Sequence, residues 1–401
     1  MSSILYVGDL TPGTRSEQRL RAIRDLGHQV TAIPAVRPRR SAQHYPRPTL
    51  LERVARKLGH PLDRAGTNAR ILRKVRSTDF DALWIEKGLT VAPKTLALAK
   101  WLQPDLELIA FSEDDMWLRH NQSARWRKAL PLFDLVVTTK LRNASPDELP
   151  SLGAVEVHYE AKTFDPSYHY PRAVSEADRR RLGGDVTFIG TYERARAEQC
   201  LALARHGVEV RVFGNGWESW RGTHPKLHVE GRPLAGADYP KAIAASTINL
   251  GLLRKRNRDE HTDRSVEIPA CGGFMLAERT QEHLELFAEG REASYFESTR
   301  ELIGKVVHYL TAERDRVRIA AEGRERCLRS DYSHHGACAR ILAKVGVPSP
   351  VKPDEAVTAA HFKAVTVDVD GPDPALPHAH HPLEDSGAFD LAGEGHEERA
   401  G

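Results

Sequence analysis

The chain has 401 residues, more than one ordinary hydrophobic core accommodates, so two α/β domains with additions are expected. Its 40% hydrophobic and 28% charged residues are the balance of a soluble globular protein. Fifty-eight Lys and Arg against 55 Asp and Glu leave a formal net charge of +3, too weak a field to argue for nucleic acid. The basic residues are dispersed among acids, and no aromatic-basic platform for a nucleic acid is present. No apolar run approaches the ~18 residues that span a bilayer, so no integral membrane segment is expected. The opening residues, Met1 to Gly8, lack the basic and apolar regions of a secretory signal, and a cytoplasmic location is expected. Cys200, Cys271, Cys327 and Cys338 show no CxxC spacing and read as reduced core thiols rather than disulfides or metal ligands.

In chain order, Ile4–Val7 reads as a strand, Gly8–Gly13 as a turn-rich loop, Arg15–Leu26 as a helix stopped by Gly27, and Gln29–Ile33 as the next strand. This βαβ unit implies a parallel sheet with helices on its faces. The basic, proline-rich stretch from Pro34 to Pro48 reads as an exposed loop. Further strands are expected at Ala82–Ile85, Leu106–Phe111 and Leu135–Thr138. Pro166 to Pro171 interrupts the pattern and suggests a hinge. A second series starts near Asp185, with strands at Val186–Ile189, Glu209–Phe213, Ile248–Leu252 and Phe274–Leu276. Helices are expected at Glu193–Ala204, Arg300–Leu310 and Ala312–Leu328. From residue 348 the sequence turns rich in Pro, Gly, acids and His, and disorder is expected through 401. His378, His380 and His381 in that tail lack further ligands and carry no metal assignment.

Two parallel sheets facing each other bring the carboxyl ends of their strands around one cleft, where open α/β sheets bind ligands. The turns Gly8–Thr14 and Gly190–Arg196 therefore become the first places to look, since each offers backbone N–H groups and a helix N-terminus suited to an anion. Neither is a GxGxxG fingerprint or a P-loop, which argues against ordinary dinucleotide and ATPase readings.

The segment from Tyr239 to Arg300 carries the most information: Tyr239-Pro240-Lys241, the strand Ile248–Leu252, a charged loop, then Arg264-Ser265-Val266-Glu267 and Cys271-Gly272-Gly273-Phe274. It continues with Glu282-His283, Gly290-Arg291-Glu292 and Tyr295-Phe296. Together these resemble the C-terminal half of CgeB-type (spore-maturation-protein-like) glycosyltransferases, a branch of the group-1 GT-B enzymes. Phe188-Ile189-Gly190-Thr191-Tyr192, Val212-Phe213-Gly214-Asn215-Gly216-Trp217, Trp84-Ile85-Glu86-Lys87-Gly88, Ser112-Glu113-Asp114-Asp115-Met116 and Asn121-Gln122-Ser123 are similar to that family as well, as are Thr138-Thr139-Lys140 and the hinge from Phe164 to His169. The resemblance covers roughly residues 80 to 345 and is weakest before residue 80.

What the resemblance implies is a GT-B architecture, with an acceptor domain at 1–165, a nucleotide-sugar donor domain at 166–347 and the tail at 348–401. The implied reaction is sugar transfer from a nucleoside diphosphate sugar, a co-substrate rather than a cofactor, to an acceptor that is a glycan, a peptide or a small metabolite. Glu267 is implied to bind the donor ribose, because a carboxylate accepts hydrogen bonds from two vicinal hydroxyls. The family's second acid, eight positions earlier, falls on Asp259, with His261, Thr262 and Asp263 nearby as alternatives. Arg194, Arg196 and Arg264 are candidates for the diphosphate, since guanidinium groups give bidentate contacts and stay charged. Gly190 and Gly272 would admit phosphate close to the backbone, and Gly214 and Gly216 would border the base. Glu113 and Asp114 follow a buried-looking strand and are candidates for an acceptor base or for binding acceptor hydroxyls. Their spacing is not DxD, and no metal is expected. An epimerase or hydrolase acting on the donor alone, and a non-catalytic nucleotide-sugar or glycan-binding protein, are the competing readings.

Overall fold

The computed structural model describes residues 2–37, 39 and 48–370. Its first half is a six-stranded, all-parallel sheet of β1 (Ser3–Gly8), β2 (Gln29–Pro34), β3 (Ala82–Glu86), β4 (Glu107–Ser112), β5 (Leu135–Thr138) and β6 (Val157–Tyr159), in the order β2-β1-β3-β4-β5-β6. Ile4, Leu5, Tyr6 and Val7 are all fully buried. A strand covered by helices on both faces reads as a continuous apolar run, which is why β1 shows no polar alternation. Its register sets Ile4 beside Val30 on one side and Ala82 on the other. Helix α1 (Arg15–Asp25) follows at once. Thr14 caps it by accepting a hydrogen bond from the Glu17 N–H, and Gly27, at φ +88°, turns the chain back toward β2.

The second half repeats the plan with β7 (Val186–Ile189), β8 (Val210–Phe213), β9 (Leu227–Val229), β10 (Ile248–Gly251), β11 (Met275–Glu278) and β12 (Ser294–Phe296), in the order β12-β11-β10-β7-β8-β9. Two Rossmann-like domains thus face each other. The nine strands expected from sequence are present within one or two residues of the expected ends. Three more, β6, β9 and β12, are only three residues long, too short to display a period. All four cysteines are buried free thiols. Among the described residues, no helix is long and apolar enough to cross a membrane.

The end of the chain departs from expectation. Helix His334–Lys344 packs on α1, and Cys338, Ile341, Leu342 and Val347 join Ile4, Tyr6 and Ile23 in one core. The residues expected to close the second domain therefore belong, in space, to the first. The expected disorder from 348 gives way to a helix at Pro353–Asp370, whose Ala356 and Ala360 are buried against α1 and the 334–344 helix. Small alanines at that spacing let a helix lie close without the large apolar side chains that normally announce burial. The tail histidines, and residues 38 and 40–47 of the basic loop, lie outside the described residues.

The chain thus crosses between domains twice, and the crossings are tied together. The Phe164 N–H donates to the Tyr332 carbonyl at 3.0 Å, and the His334 N–H donates to the Phe164 carbonyl at 2.9 Å. A second tie lies in the charged loop after β10. Arg258, held in the left-handed region at φ 47°, grips Asp115 at 2.5 Å and Glu148 at 2.6 Å, both across the interface. Lys140 meets Asp259 at 2.5 Å, with both side chains about 95% buried. Removing one partner of such a pair strands the other charge in a dry interface. Lys140→Met should therefore cost about 3–5 kcal/mol in urea denaturation. The double change Lys140→Met/Asp259→Leu should recover most of that loss.

Candidate active site

A cavity of about 820 Å³ lies between the domains. The carboxyl ends of β1, β3 and β4 open onto it from the first domain, and the end of β7 from the second, as residues Asp9, Glu86, Ser112 and Ile189 show. The first turn of α1 enters from one side, with Arg15 and Ser16 on the wall. Helix Asp263–Ala270 enters from the other. Arg264 and Glu267 stand three residues apart on it, hence on one face, and both line the cavity.

Glu267 joins both domains at the site. It accepts a hydrogen bond from Arg15 of the opposite domain at 2.6 Å and another from the Tyr239 hydroxyl, and His169 Nε2 lies 3.5 Å away. His169 Nδ1 accepts from the Asp165 N–H at 3.0 Å, so the ring proton sits on Nε2 and points at Glu267. Burial, reinforced by the Glu267 charge, holds the Tyr239 phenol well above its usual range. Beside Glu267, Asp263 takes Arg15 Nε at 3.1 Å and Lys162 Nζ at 3.3 Å. Burial alone would raise the Asp263 carboxyl, but Arg15 and Lys162 outweigh it and keep it ionised.

The first-domain wall is a second charge network. Arg19, 3% exposed, makes a bidentate pair with Glu86 at 2.8 Å, reaches Glu113 at 2.9 Å and lies 4.3 Å over the Phe111 ring. Burial pushes the Glu113 carboxyl upward, yet Arg19 and Lys162 more than reverse it, leaving it below its ordinary value. Asp114 is lowered in the same way by Lys87, 2.5 Å away. Both candidate carboxylates are therefore anionic and paired, which suits hydrogen-bond acceptance better than proton abstraction near neutral pH.

Of the residues singled out in the sequence, Glu113, Asp114, Gly190, Arg264 and Glu267 come together on the cavity wall. Gly214 and Gly216 stand behind it: a Cβ on Gly214, at φ +149°, would sit 2.0 Å from the Gly190 carbonyl oxygen, and Gly216 packs on Tyr192. They shape the Gly190 turn rather than border the cavity. Arg194 is a correction: it is exposed and pairs with Glu198, one turn along its own helix. Arg196 is another. It is 1% exposed and donates to the carbonyls of Thr191, Leu252 and Leu253, so its charge ties backbone together. Burial, with Arg264 nearby, drops its pKa to about 9.

Gly272 lies past the C-terminal end of the 263–270 helix, at φ +74°, and ends that helix instead of cradling an anion. Asp259 is spent on Lys140 in the interface. His261 is fully buried; its Nε2 accepts the Lys162 N–H at 2.8 Å and its Nδ1 meets Glu282. It pins the backbone of Lys162, whose ammonium enters the charge network. Asp263, named from sequence as an alternative to Asp259, joins the site, and Arg15, Arg19, Lys162, His169 and Tyr239, which were not assigned to it from sequence, complete it. The turn carrying Arg15 was legible, since Thr14 as N-cap puts Arg15 at the helix start; its partners 248 and 252 residues away were not.

Residues 194–343 match the model of a family described as glycosyl transferase-like. Among solved structures, the chain is similar to sucrose-phosphate synthase from Thermosynechococcus elongatus, at 10% identity and a TM-score of 0.59, over 86% of this chain and 98% of that one. HepE of Anabaena, in complex with UDP and glucose, is similar at 14% identity and a TM-score of 0.56, over 86% and 100%. A glycosyltransferase from Rickettsia africae is similar at 10% identity and a TM-score of 0.58, over 86% and 97%. No curated protein sequence matches. At such identities the likeness establishes the fold, which is the GT-B architecture of two facing Rossmann-like domains.

The helix bearing Arg264 and Glu267 also leans on a buried histidine. His283 Nδ1 donates to the Glu278 carbonyl, so its Nε2 accepts from Ser265 Oγ at 2.7 Å. Burial drops its pKa from 6.5 to about 4. The unfolded chain then takes up a proton on this residue before the folded one does. Its stabilisation is complete above pH 6.5 and is lost as the pH falls toward 4. Urea denaturation should show a loss of about 3 kcal/mol from this residue across that window. Equal stability at its two ends would contradict the assignment.

Proposed function

We propose that the chain is a glycosyltransferase that moves a hexose from a nucleoside diphosphate sugar to an acceptor hydroxyl, in the manner of the CgeB-type branch of group-1 enzymes and without a bound metal. The observation that carries this reading is the pairing of Arg264 and Glu267 on one helix face, inside the interdomain cavity, beside the Gly190 turn and opposite the first turn of α1. The glycosyl transferase-like match over 194–343 includes that helix. The order of motifs along the sequence supports the finer CgeB-type assignment.

In this reading Glu267 receives two ribose hydroxyls in place of Arg15 and Tyr239. The freed Arg15 guanidinium, Arg264 and the N–H groups opening α1 then face the diphosphate, whose charge grows as the sugar–phosphate bond breaks. Glu113 and Asp114, ionised and on the first-domain wall, receive hydroxyls of the acceptor. The acceptor is a glycan, a peptide or a small metabolite. HepE, with the same architecture, holds UDP and glucose, so UDP-sugars are the first donors to test.

The test is calorimetry with UDP, GDP, TDP, ADP and CDP and their common sugars, followed by turnover with an acceptor panel. One nucleotide class should bind selectively. Glu267→Ala should weaken that binding at least about tenfold, the worth of a charged hydrogen bond of about 1.5–3 kcal/mol. Arg264→Ala should lower kcat about 10²-fold. Failure of every nucleotide to bind would overturn the reading, and nucleotide release at full rate without acceptor would replace transfer with hydrolysis or epimerisation.

A further inference from the structure

Helix α2 (Leu50–Lys57) contributes nothing to either core. None of its residues is buried, and Leu50, Leu51, Val54 and Leu58 are 68, 60, 47 and 70% exposed. Their spacing puts them on one face. The helix is nonetheless well specified: Thr49 and Glu52 form a reciprocal capping box at its start, and Arg56 and Lys57 sit in its last turn, where cations suit the dipole. A helix so defined, with an apolar face that no described residue covers, is poised for an external surface.

Charge identifies that surface. Between Val36 and His60 the sequence holds seven Lys and Arg and one acid, Glu52, which is already committed to the capping box and to Arg64 at 3.2 Å; Arg39 is 7% exposed and pairs with Asp9, whereas Arg53 and Lys57 are exposed and flank the apolar face. This short stretch is therefore more positive than the whole chain, whose formal charge is +3. A polyanion such as nucleic acid would satisfy the cations and leave four large apolar side chains in water. An anionic bilayer satisfies both at once, lipid headgroups taking the cations and the acyl boundary taking the leucines. We propose that α2 docks this protein, reversibly, on an anionic membrane surface.

The placement has a consequence for the cavity. Arg56 of α2 and Val36, beside the same basic stretch, both belong to the cavity wall on the first-domain side. Arg56 stands on the side of α2 opposite its apolar face, so a docked α2 lies between the bilayer and that rim of the cavity. This docking stands independently of the chemistry proposed for the cavity.

The test is co-sedimentation of the full chain with vesicles of phosphatidylcholine alone or mixed with phosphatidylglycerol. Binding should appear with the mixed vesicles at low salt, be absent with the neutral ones, and fall as salt rises. Arg53→Gln/Lys57→Gln should weaken it about thirty-fold, two basic residues near a charged surface being lost. Leu50→Ser/Leu51→Ser/Leu58→Ser should weaken it at least as much. All five positions are exposed, so the melting temperature should stay unchanged in both variants, and nucleotide binding provides a second check of the fold. No binding to mixed vesicles, or equal binding to neutral ones, would overturn the proposal. So would undiminished binding by the serine variant, which would leave a contact through charge alone, as with a nucleic acid or an acidic protein.

Discussion

Arg15 reaches from the first turn of α1 across the cleft to both Asp263 and Glu267, and the rest of the site is arranged around that contact. Glu267 is buried and Asp263 mostly so, and two such carboxylates side by side carry a desolvation cost that is offset only when each keeps a partner. Lys162, Tyr239 and His169 supply those partners. The network ties the two walls of the cleft together. Glu267 is thereby paired with a cation of the opposite domain. In the proposed chemistry, donor binding exchanges one satisfied arrangement of charges for another, and the low-dielectric interior makes such an exchange selective for groups that match it.

The interface that holds this network is built from irregular chain. The loop after β10 sends Arg258 to Asp115 and Glu148 and Asp259 to Lys140, while the crossings at Phe164 and His334 bond to each other. His261 joins the two sets, accepting the Lys162 N–H while meeting Glu282. Polar residues that looked catalytic in the sequence are therefore the residues that orient one sheet against the other. The same residue types serve both ends, because a buried carboxylate or histidine needs a partner whether or not it meets a substrate.

Glu267 and Arg264 were reached through the family resemblance, and the structure sets them three residues apart on one helix face. Gly190 was legible because strand, glycine and helix in succession describe a turn at a sheet's carboxyl end. Arg194 and Arg196 were not separable from each other by sequence. One faces water beside Glu198 and the other is sealed under β10, a difference set by the packing of their helix. Asp259 and His261 carried a plausible spacing to Glu267, but spacing within a loop constrains direction far less than spacing within a helix.

Apolar runs of four to six residues and turn glycines act over a few neighbours, so the sequence by itself determined nine of the twelve strands, the helices near Arg15–Leu26, Glu193–Ala204, Arg300–Leu310 and Ala312–Leu328, and two parallel sheets with a cleft at their carboxyl ends. It could not determine which charges pair, since Arg15 with Glu267, Arg19 with Glu113 and Lys140 with Asp259 join residues 94 to 252 positions apart. Nor could it determine that the final helices return to the first domain, where small buried alanines replace an apolar stripe. Those choices belong to the tertiary structure, because the energy of a buried charge or a close helix contact depends on what the completed fold sets beside it.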